Sequence, residues 1–312
     1  MAEFDLIERI RQRAGAPRPD VVLGIGDDGA LLDCPAGMQL VAVTDTLVEG
    51  VHFPVDTDPA DIGWKALAVN LSDLAAMGAT PAWTLLNLTA PAADTDFIDA
   101  LMAGFHALAQ VHQLALVGGD TCRGPLAVSV TALGFVPTGQ ALTRAGARVG
   151  DGVYVTGSLG DAAAALDALQ STADAAVVAP ALLARLARPT PRLAAGQRLR
   201  GIAHAAIDVS DGLLADLGHV ARASGVAIDI DAEALPLSVA LRAIATVPAA
   251  RDFALAGGDD YELAFTAPAD AVLPALDCPV TRIGRVVAGS GVRALADGRT
   301  VIPARRAWEH FA

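Results

Sequence analysis

The chain has 312 residues, 53% of them hydrophobic and 18% charged, which allows a large buried core and favours two domains over one. A formal net charge of −13 and a pI near 4.7 leave no basic face for a phosphate backbone, so nucleic-acid binding is excluded. The three cysteines, Cys34, Cys122 and Cys278, are widely spaced and form neither a metal-type C-x-x-C pair nor a disulfide framework, which suits a reducing cytoplasm.

The opening "MAEFDLIERIRQR" alternates apolar and charged residues and carries no signal-peptide core. A brief apolar run ending in aspartate then recurs along the chain, as "DVVLGIGDD", "QLVAVTD", "LALVGGD", "HAAIDVSD" and "FALAGGDD". Each is expected to be a strand that ends in an acid. Helices are expected between them, the first over about 62–77 with Gly78 as its C-cap and Pro81 beyond. The second spans about 93–112, and a third starts near Ser210 and stops before Gly225. Residues 100–119 are uncharged and as long as a membrane span. Gln110, His112, Gln113 and glycines interrupt them, so they read as buried helix and then strand, with no membrane partner. Strands alternating with helices predict α/β or α+β architecture with sheets covered on both faces. The turn-rich "PTGQALTRAGARVGDGVYVTG" begins a fresh strand, which places a boundary near residue 145 and gives domains 1–145 and 146–312, each with its own sheet.

"GIGDDG" matches G-x-G-x-x-G but does not open a long helix: Pro35 follows within six residues, and Asp27 and Asp28 would repel a pyrophosphate. A P-loop is also excluded, because Lys65 is the only lysine and no G-K-[ST] exists. What remains is the set of aspartates. Asp27, Asp28, Asp45, Asp120, Asp208, Asp211, Asp259 and Asp260 all fall at or just after expected strand ends. Two carboxylates about 5 Å apart repel by roughly 3 kcal/mol at an effective dielectric near 20. A converging set therefore calls for counter-charge that the chain does not supply, and oxygen donors without cysteine or histidine suit Mg²⁺. Any one of them alone could instead cap a turn or a helix.

Asp73 lies within the apolar helix "ALAVNLSDLAAMGA" and needs a partner, either a shared metal or a neighbour such as Asn70. "DVSDGLLADLGHVARASG" places Asp208 and Asp211 three apart on one face of an incoming helix, with Ser210 as N-cap and free amides that could receive a phosphate. "GGDTCRG" gives Gly118 and Gly119 room for close backbone approach, with Asp120 at the tip. Arg144 could bridge phosphate oxygens, although an arginine of this kind is usually a solvated charge. His52 by itself is more often structural, and no G-x-S-x-G elbow supports Ser-His-Asp chemistry.

Taken together, "GIGDDGALL", "TDTLVEGVHF", "KALAVNLSDLAAMGATPAW", "GGDTCRGP", "GDGVYVTGSLGD", "AIDVSDGL" and "GGDDYELAFT" span nearly the whole chain. In that order they resemble the thiamine-monophosphate kinase family, within the aminoimidazole ribonucleotide synthetase-like superfamily. The resemblance implies a two-domain α/β fold, each domain a mixed sheet flanked by helices. It also implies ATP-dependent phosphorylation of thiamine monophosphate to thiamine diphosphate with several Mg²⁺ ions, in a cytoplasmic homodimer joined through the N-terminal domains. Carried over by position, Asp27, Val43 (through its backbone), Thr44, Asp45, Asp73, Asp120, Asp208 and Asp211 match metal ligands. Gly119, Asp120, Arg144 and Ser210 match ATP contacts, and His52, Asp259 and Trp308 match substrate contacts. The family usually has Glu where Asp259 stands; the shorter side chain keeps the charge that suits a cationic thiazolium, and Trp308 could add a cation–π contact.

The implied reaction needs no covalent enzyme intermediate, because the acceptor is already a phosphate anion. Three rivals are weighed against it. A synthetase of the same superfamily would keep much of the aspartate pattern, but "TDTLVEGVHF" and Trp308 fit the kinase better. "GGDDY" matches a diguanylate cyclase signature, but such an enzyme would not need the other aspartates. The last is a non-enzymatic, metal-stabilised protein.

Overall fold

The structure is a computed structural model that describes residues 3–12, 18–172 and 178–305. The chain divides into two compact units, Met1–Leu74 with Ala79–Gly139, and Ala75–Gly78 with Gln140–Ala312. No helix among the described residues is long and apolar enough to cross a membrane.

The first unit is built on a four-stranded mixed sheet. Its strands are β3 (Met38–Val48), β6 (Ala127–Pro137), β4 (Thr80–Ala90) and β5 (Ala115–Arg123), in the order β3-β6-β4-β5. β6 runs antiparallel to both neighbours, while β4 and β5 are parallel and joined by α3 (Thr95–Val111). A short antiparallel pair, β1 (Val21–Leu23) and β2 (Leu31–Leu32), precedes them, after α1 (Glu3–Gln12). Val21 and Leu32 from that pair pack on a cluster that holds Trp83 and Phe135, whose rings meet edge to face at 5.0 Å.

α2 (Pro59–Ala76) begins three residues before its expected start, because Pro59 fits the first helical position and the Asp58 carboxylate accepts the Ala60 amide at 2.8 Å. α3 is capped by Asp94, which accepts the Asp96 and Phe97 amides. The two helices touch backbone to backbone. A Cβ on Gly104 would lie 1.8 Å from the Ala60 carbonyl oxygen, and one on Gly63 would lie 1.9 Å from that of Leu101.

The second unit is built on a seven-stranded mixed sheet in the order β13-β12-β9-β11-β7-β10-β8. Its strands are β7 (Gly152–Thr156), β8 (Ala205–Asp208), β9 (Ala227–Asp231), β10 (Leu263–Ala267), β11 (Val280–Val287), β12 (Gly291–Ala296) and β13 (Arg299–Val301). β12 pairs with β9 in parallel and the other pairings are antiparallel. α7 (Leu213–Ser224) packs on β8, β9 and β12, with Leu213, Leu217 and Val220 in the shared core, and Gly225 ends it in a left-handed cap at φ 67°. A second core gathers α4 (Asp161–Thr172), α5 (Pro180–Ala187), α8 (Val239–Ile244) and α9 (Val247–Ala256), with Leu182, Leu241 and Phe253 at its centre. α6 (Leu193–Leu199) contributes Leu199 to a third cluster, with Tyr154 and Phe265.

The α/β organisation with mixed sheets is as the sequence implies, and residues 100–119 are helix and then strand. Two expectations fail. "FALA" before "GGDD" is the last turn of α9, because Pro248 starts a helix upstream whose buried Ala250, Phe253 and Ala254 follow helical spacing. Asp45 and Asp120 lie inside β3 and β5, which continue to Val48 and Arg123, so neither acid ends its strand.

Candidate active site

In the first unit, strand alternation sorts the candidate residues by face. Cross-strand register puts Thr44 and Asp120 on one face, and Asp45 on the other with the buried Val41 and Leu47. Thr44 accepts the Thr131 hydroxyl at 3.1 Å and donates to the Val130 carbonyl at 3.2 Å. Val43, between buried neighbours of β6 and the exposed Thr44, is half-buried. Gly119 has φ 145°, and a Cβ there would come within 1.9 Å of the Leu86 carbonyl oxygen, so no other residue fits where β5 passes β4. Asp120 beside it is exposed.

Asp27 is exposed after β1 and accepts the Asp28 amide at 2.8 Å, which fixes a tight turn rather than a strand end. Asp73 is half-buried on α2, one turn beyond Asn70. Asn70 is fully buried; its amide nitrogen donates to the Ala66 carbonyl at 3.0 Å, and its oxygen Oδ1 has no hydrogen-bond partner among the described residues. His52 is held from both ends. Its Nδ1 accepts the Val48 amide at 3.0 Å, which puts the proton of the neutral ring on Nε2, and its carbonyl accepts Lys65 Nζ at 3.2 Å. Lys65 is 3% exposed, so the only lysine of the chain serves this loop.

In the second unit, the "DVSD" loop differs from its expected form. Asp208 ends β8, Asp211 sits in the loop, and α7 starts only at Leu213 with Gly212, at φ 122°, as its N-cap. The amides expected to be free for a phosphate are taken. Oδ2 of Asp216 accepts the N–H groups of Ser210, Asp211 and Gly212 at 3.0, 3.2 and 3.1 Å. The sequence reading passed over Asp216. The signal was a carboxylate in the first helical turn after an Asp-Gly, where it can fold back on the loop amides. Burial, then the charges of Asp208 and Asp211, push its carboxyl up to about 8, against the opposing pull of the amides.

The "GGDD" turn packs on the same loop. The Asp259 amide donates to the Ser210 carbonyl and the Tyr261 amide to that of Val209, both at 2.8 Å. The Tyr261 hydroxyl donates to Asp259 Oδ1 at 2.9 Å. Asp260 turns inward, with both carboxylate oxygens within 3.0 Å of the Gly160 amide, and burial raises its carboxyl well above the usual range. Asp208, Ser210, Asp211 and Asp259 are thus brought into one neighbourhood of the second unit. Arg144 is exposed in the same unit, its carbonyl accepting the Ser224 hydroxyl at 3.2 Å. Trp308 lies outside the described residues.

The donor set is carboxylate, hydroxyl and backbone carbonyl oxygen, which fits a hard cation. Burial first, and then the charges of Asp208 and Asp211, raise the Asp216 carboxyl, so three acids are gathered at this loop. Among the described residues, no three His, Cys, Asp or Glu side chains form a group able to hold a metal ion.

Comparison with known proteins bears on the whole chain. Residues 26–136 match the family model of the AIR synthase related protein, N-terminal domain, and residues 148–297 its C-terminal domain. A thiamine-monophosphate kinase of Salmonella typhimurium is 47% identical over 99% of this chain and 98% of its own. The crystal structure of thiamine-monophosphate kinase from Stenotrophomonas maltophilia superposes with a TM-score of 0.88 at 56% identity, covering 96% of this chain and 98% of that one. A structure of AaThiL complexed with AMPPCP and TMP superposes at 0.79 with 36% identity, covering 99% and 97%.

Proposed function

The chain belongs to the thiamine-monophosphate kinase family of AIR synthase related proteins, and from that premise we propose that it transfers the γ-phosphoryl group of ATP to thiamine monophosphate. The observation that carries this reading is the likeness, over nearly its full length, to a protein complexed with both AMPPCP and TMP. In the transfer, the bond between the γ-phosphorus and the β,γ-bridging oxygen breaks, and its electron pair leaves with ADP. A phosphate oxygen of the acceptor forms the new bond, giving thiamine diphosphate by direct in-line displacement. Mg²⁺, when bound, supplies neutralisation of two anions that must touch.

Asp27, the Val43 carbonyl, Thr44, Asp45, Asp73, Asp120, Asp208 and Asp211 would hold the ions. Gly119, Asp120, Arg144 and the Ser210 hydroxyl would contact ATP; the Ser210 amide is committed to Asp216. His52, fixed with its Nε2–H outward from the Val48 bond, would donate to the substrate. Asp259 would face the cationic thiazolium, with Trp308 alongside.

A cytoplasmic homodimer joined through the first unit completes the reading. β3 and β5 are the two edges of the four-stranded sheet, with Thr44 and Asp45 on one edge and Asp120 on the other. Three strand spacings of about 4.8 Å, or about 14 Å, separate them, farther than aspartates sharing one ion can span. A second copy pairing edge to edge would lay β5 of one beside β3 of the other, and the exposed Met38 and Leu40 of β3 favour such a contact.

Incubation with ATP, Mg²⁺ and thiamine monophosphate should yield thiamine diphosphate. Asp73→Asn and Asp120→Asn should each lose activity by about a hundredfold or more while keeping the wild-type circular-dichroism spectrum. Near-wild-type rates in both variants would rule out the assigned metal set.

A further inference from the structure

Two residues of the turn before β10 carry backbone strain. Asp259 has φ 66° and Tyr261 φ 50°, both left-handed, and neither is glycine. Such conformations persist where surrounding contacts over-determine them, and they cluster at binding sites. The contacts that over-determine this turn converge on Glu262, whose side chain is fully buried. Arg192 donates to both its oxygens at 2.6 Å, and Arg185, from the last turn of α5, donates to Oε1 at 2.8 Å. The Thr156 hydroxyl of β7 donates to Oε2 at 2.7 Å and accepts the Leu263 amide at 2.8 Å. Gly157 is required beside them, since a Cβ there would stand 2.0 Å from Oε1.

Arg185 does a second thing. The same Nη2 that meets Glu262 also donates to the Asp260 carbonyl at 2.9 Å, in the middle of the strained turn. A buried Glu between two arginines is a poor choice if stability alone is at stake, because apolar residues of similar volume do as well or better. Coupling that ion cluster to the backbone between two strained residues gives it another use.

We propose that Arg185, locked by Glu262, is a positioning residue that holds the turn in its left-handed form and so aims the Asp259 carboxylate at the cationic ring of the substrate. This rests on the reading of Asp259 as a substrate contact. The Tyr261 hydroxyl, in hydrogen bond to Asp259, completes the aim by setting the carboxylate's rotation. The arrangement also gives a physical reason for Asp rather than Glu at 259: a left-handed backbone is tolerated better by the short acid.

The test compares wild type, Asp259→Asn, Arg185→Met and Arg185→Lys by steady-state kinetics, with amide hydrogen exchange of Asp259 and Tyr261 as a second readout. Arg185→Met should raise KM for thiamine monophosphate by about tenfold, leave KM for ATP within about twofold, and speed exchange at both amides. Arg185→Lys keeps the charge but puts a shorter, freely rotating ammonium where the rigid guanidinium stood, so it should fall between Met and wild type; it also decides the matter if the Met variant does not fold. Unchanged KM for thiamine monophosphate in the folded Arg185 variants, or a parallel rise for ATP, overturns the inference. If Asp259→Asn itself leaves that KM unchanged in an active enzyme, the substrate contact falls and the inference with it.

Discussion

Histidine 112 and aspartate 216 show how burial sets the sign of a titration. His112, half-buried at the C-cap of α3, has its pKa lowered from 6.5 by desolvation, so the fold prefers the neutral ring. Its folded value lies below its unfolded one. Its contribution to stability is therefore intact above 6.5 and is lost as pH falls through the folded value. Asp216 has the opposite sign, since a carboxyl raised to about 8 stabilises the fold at low pH and loses that contribution as pH rises through 8. His112→Gln should therefore narrow the loss of unfolding free energy between about pH 7 and pH 5 relative to wild type, read from urea titrations at each pH. The pairwise difference isolates His112, because Asp216 is common to both proteins. Asp73, Asp120 and Asp208 draw notice in the sequence because an acid in an apolar run stands out. Asp216 does not. Its role depends on a fold-back to three amides, which no spacing rule displays until the loop is built.

Two helices carry much of the first unit, and their contact shows what the element scale adds. α2 and α3 were both readable from periodicity and their end signals, to within three residues at each end. Their closeness was not, because Gly63 and Gly104 read as isolated weak points in helical runs rather than as a paired crossing. Gly104→Ala would drive its methyl into the Ala60 carbonyl, and Gly63→Ala into that of Leu101. Each should cost roughly 1–3 kcal/mol or more, seen as a fall in Tm, because backbone cannot yield as a side chain does. Asp73 rides on α2, so the same variants should lower activity beyond what unfolding explains. The missed helix at "FALA" has the same root. A four-residue apolar run carries no period of its own, and the deciding signal, Pro248, lies five residues upstream of Phe253.

For the molecule as a whole, the sheet edges set the decisive prediction. On the proposed reading, in which Asp45 on β3 and Asp120 on β5 come together only across a homodimer, activity should be rescued by mixing defects. Asp45→Asn and Asp120→Asn homodimers should both be inactive, while co-expressed heterodimers recover one intact site and about a quarter of wild-type activity in a random mixture. No recovery would place all the ligands within one copy. The α/β class followed from the recurring pattern and the two domains from chain length and the turn-rich 137–157 segment, whereas the pairing order of seven strands did not follow, because it depends on contacts far apart in sequence. Lys65 has a practical bearing at this scale. An ε-amine closed over by a backbone carbonyl is shielded from acylating reagents, and with one lysine in the chain its product is read at a single position, so the rate at which that amine reacts becomes a clock for the opening of the loop above it.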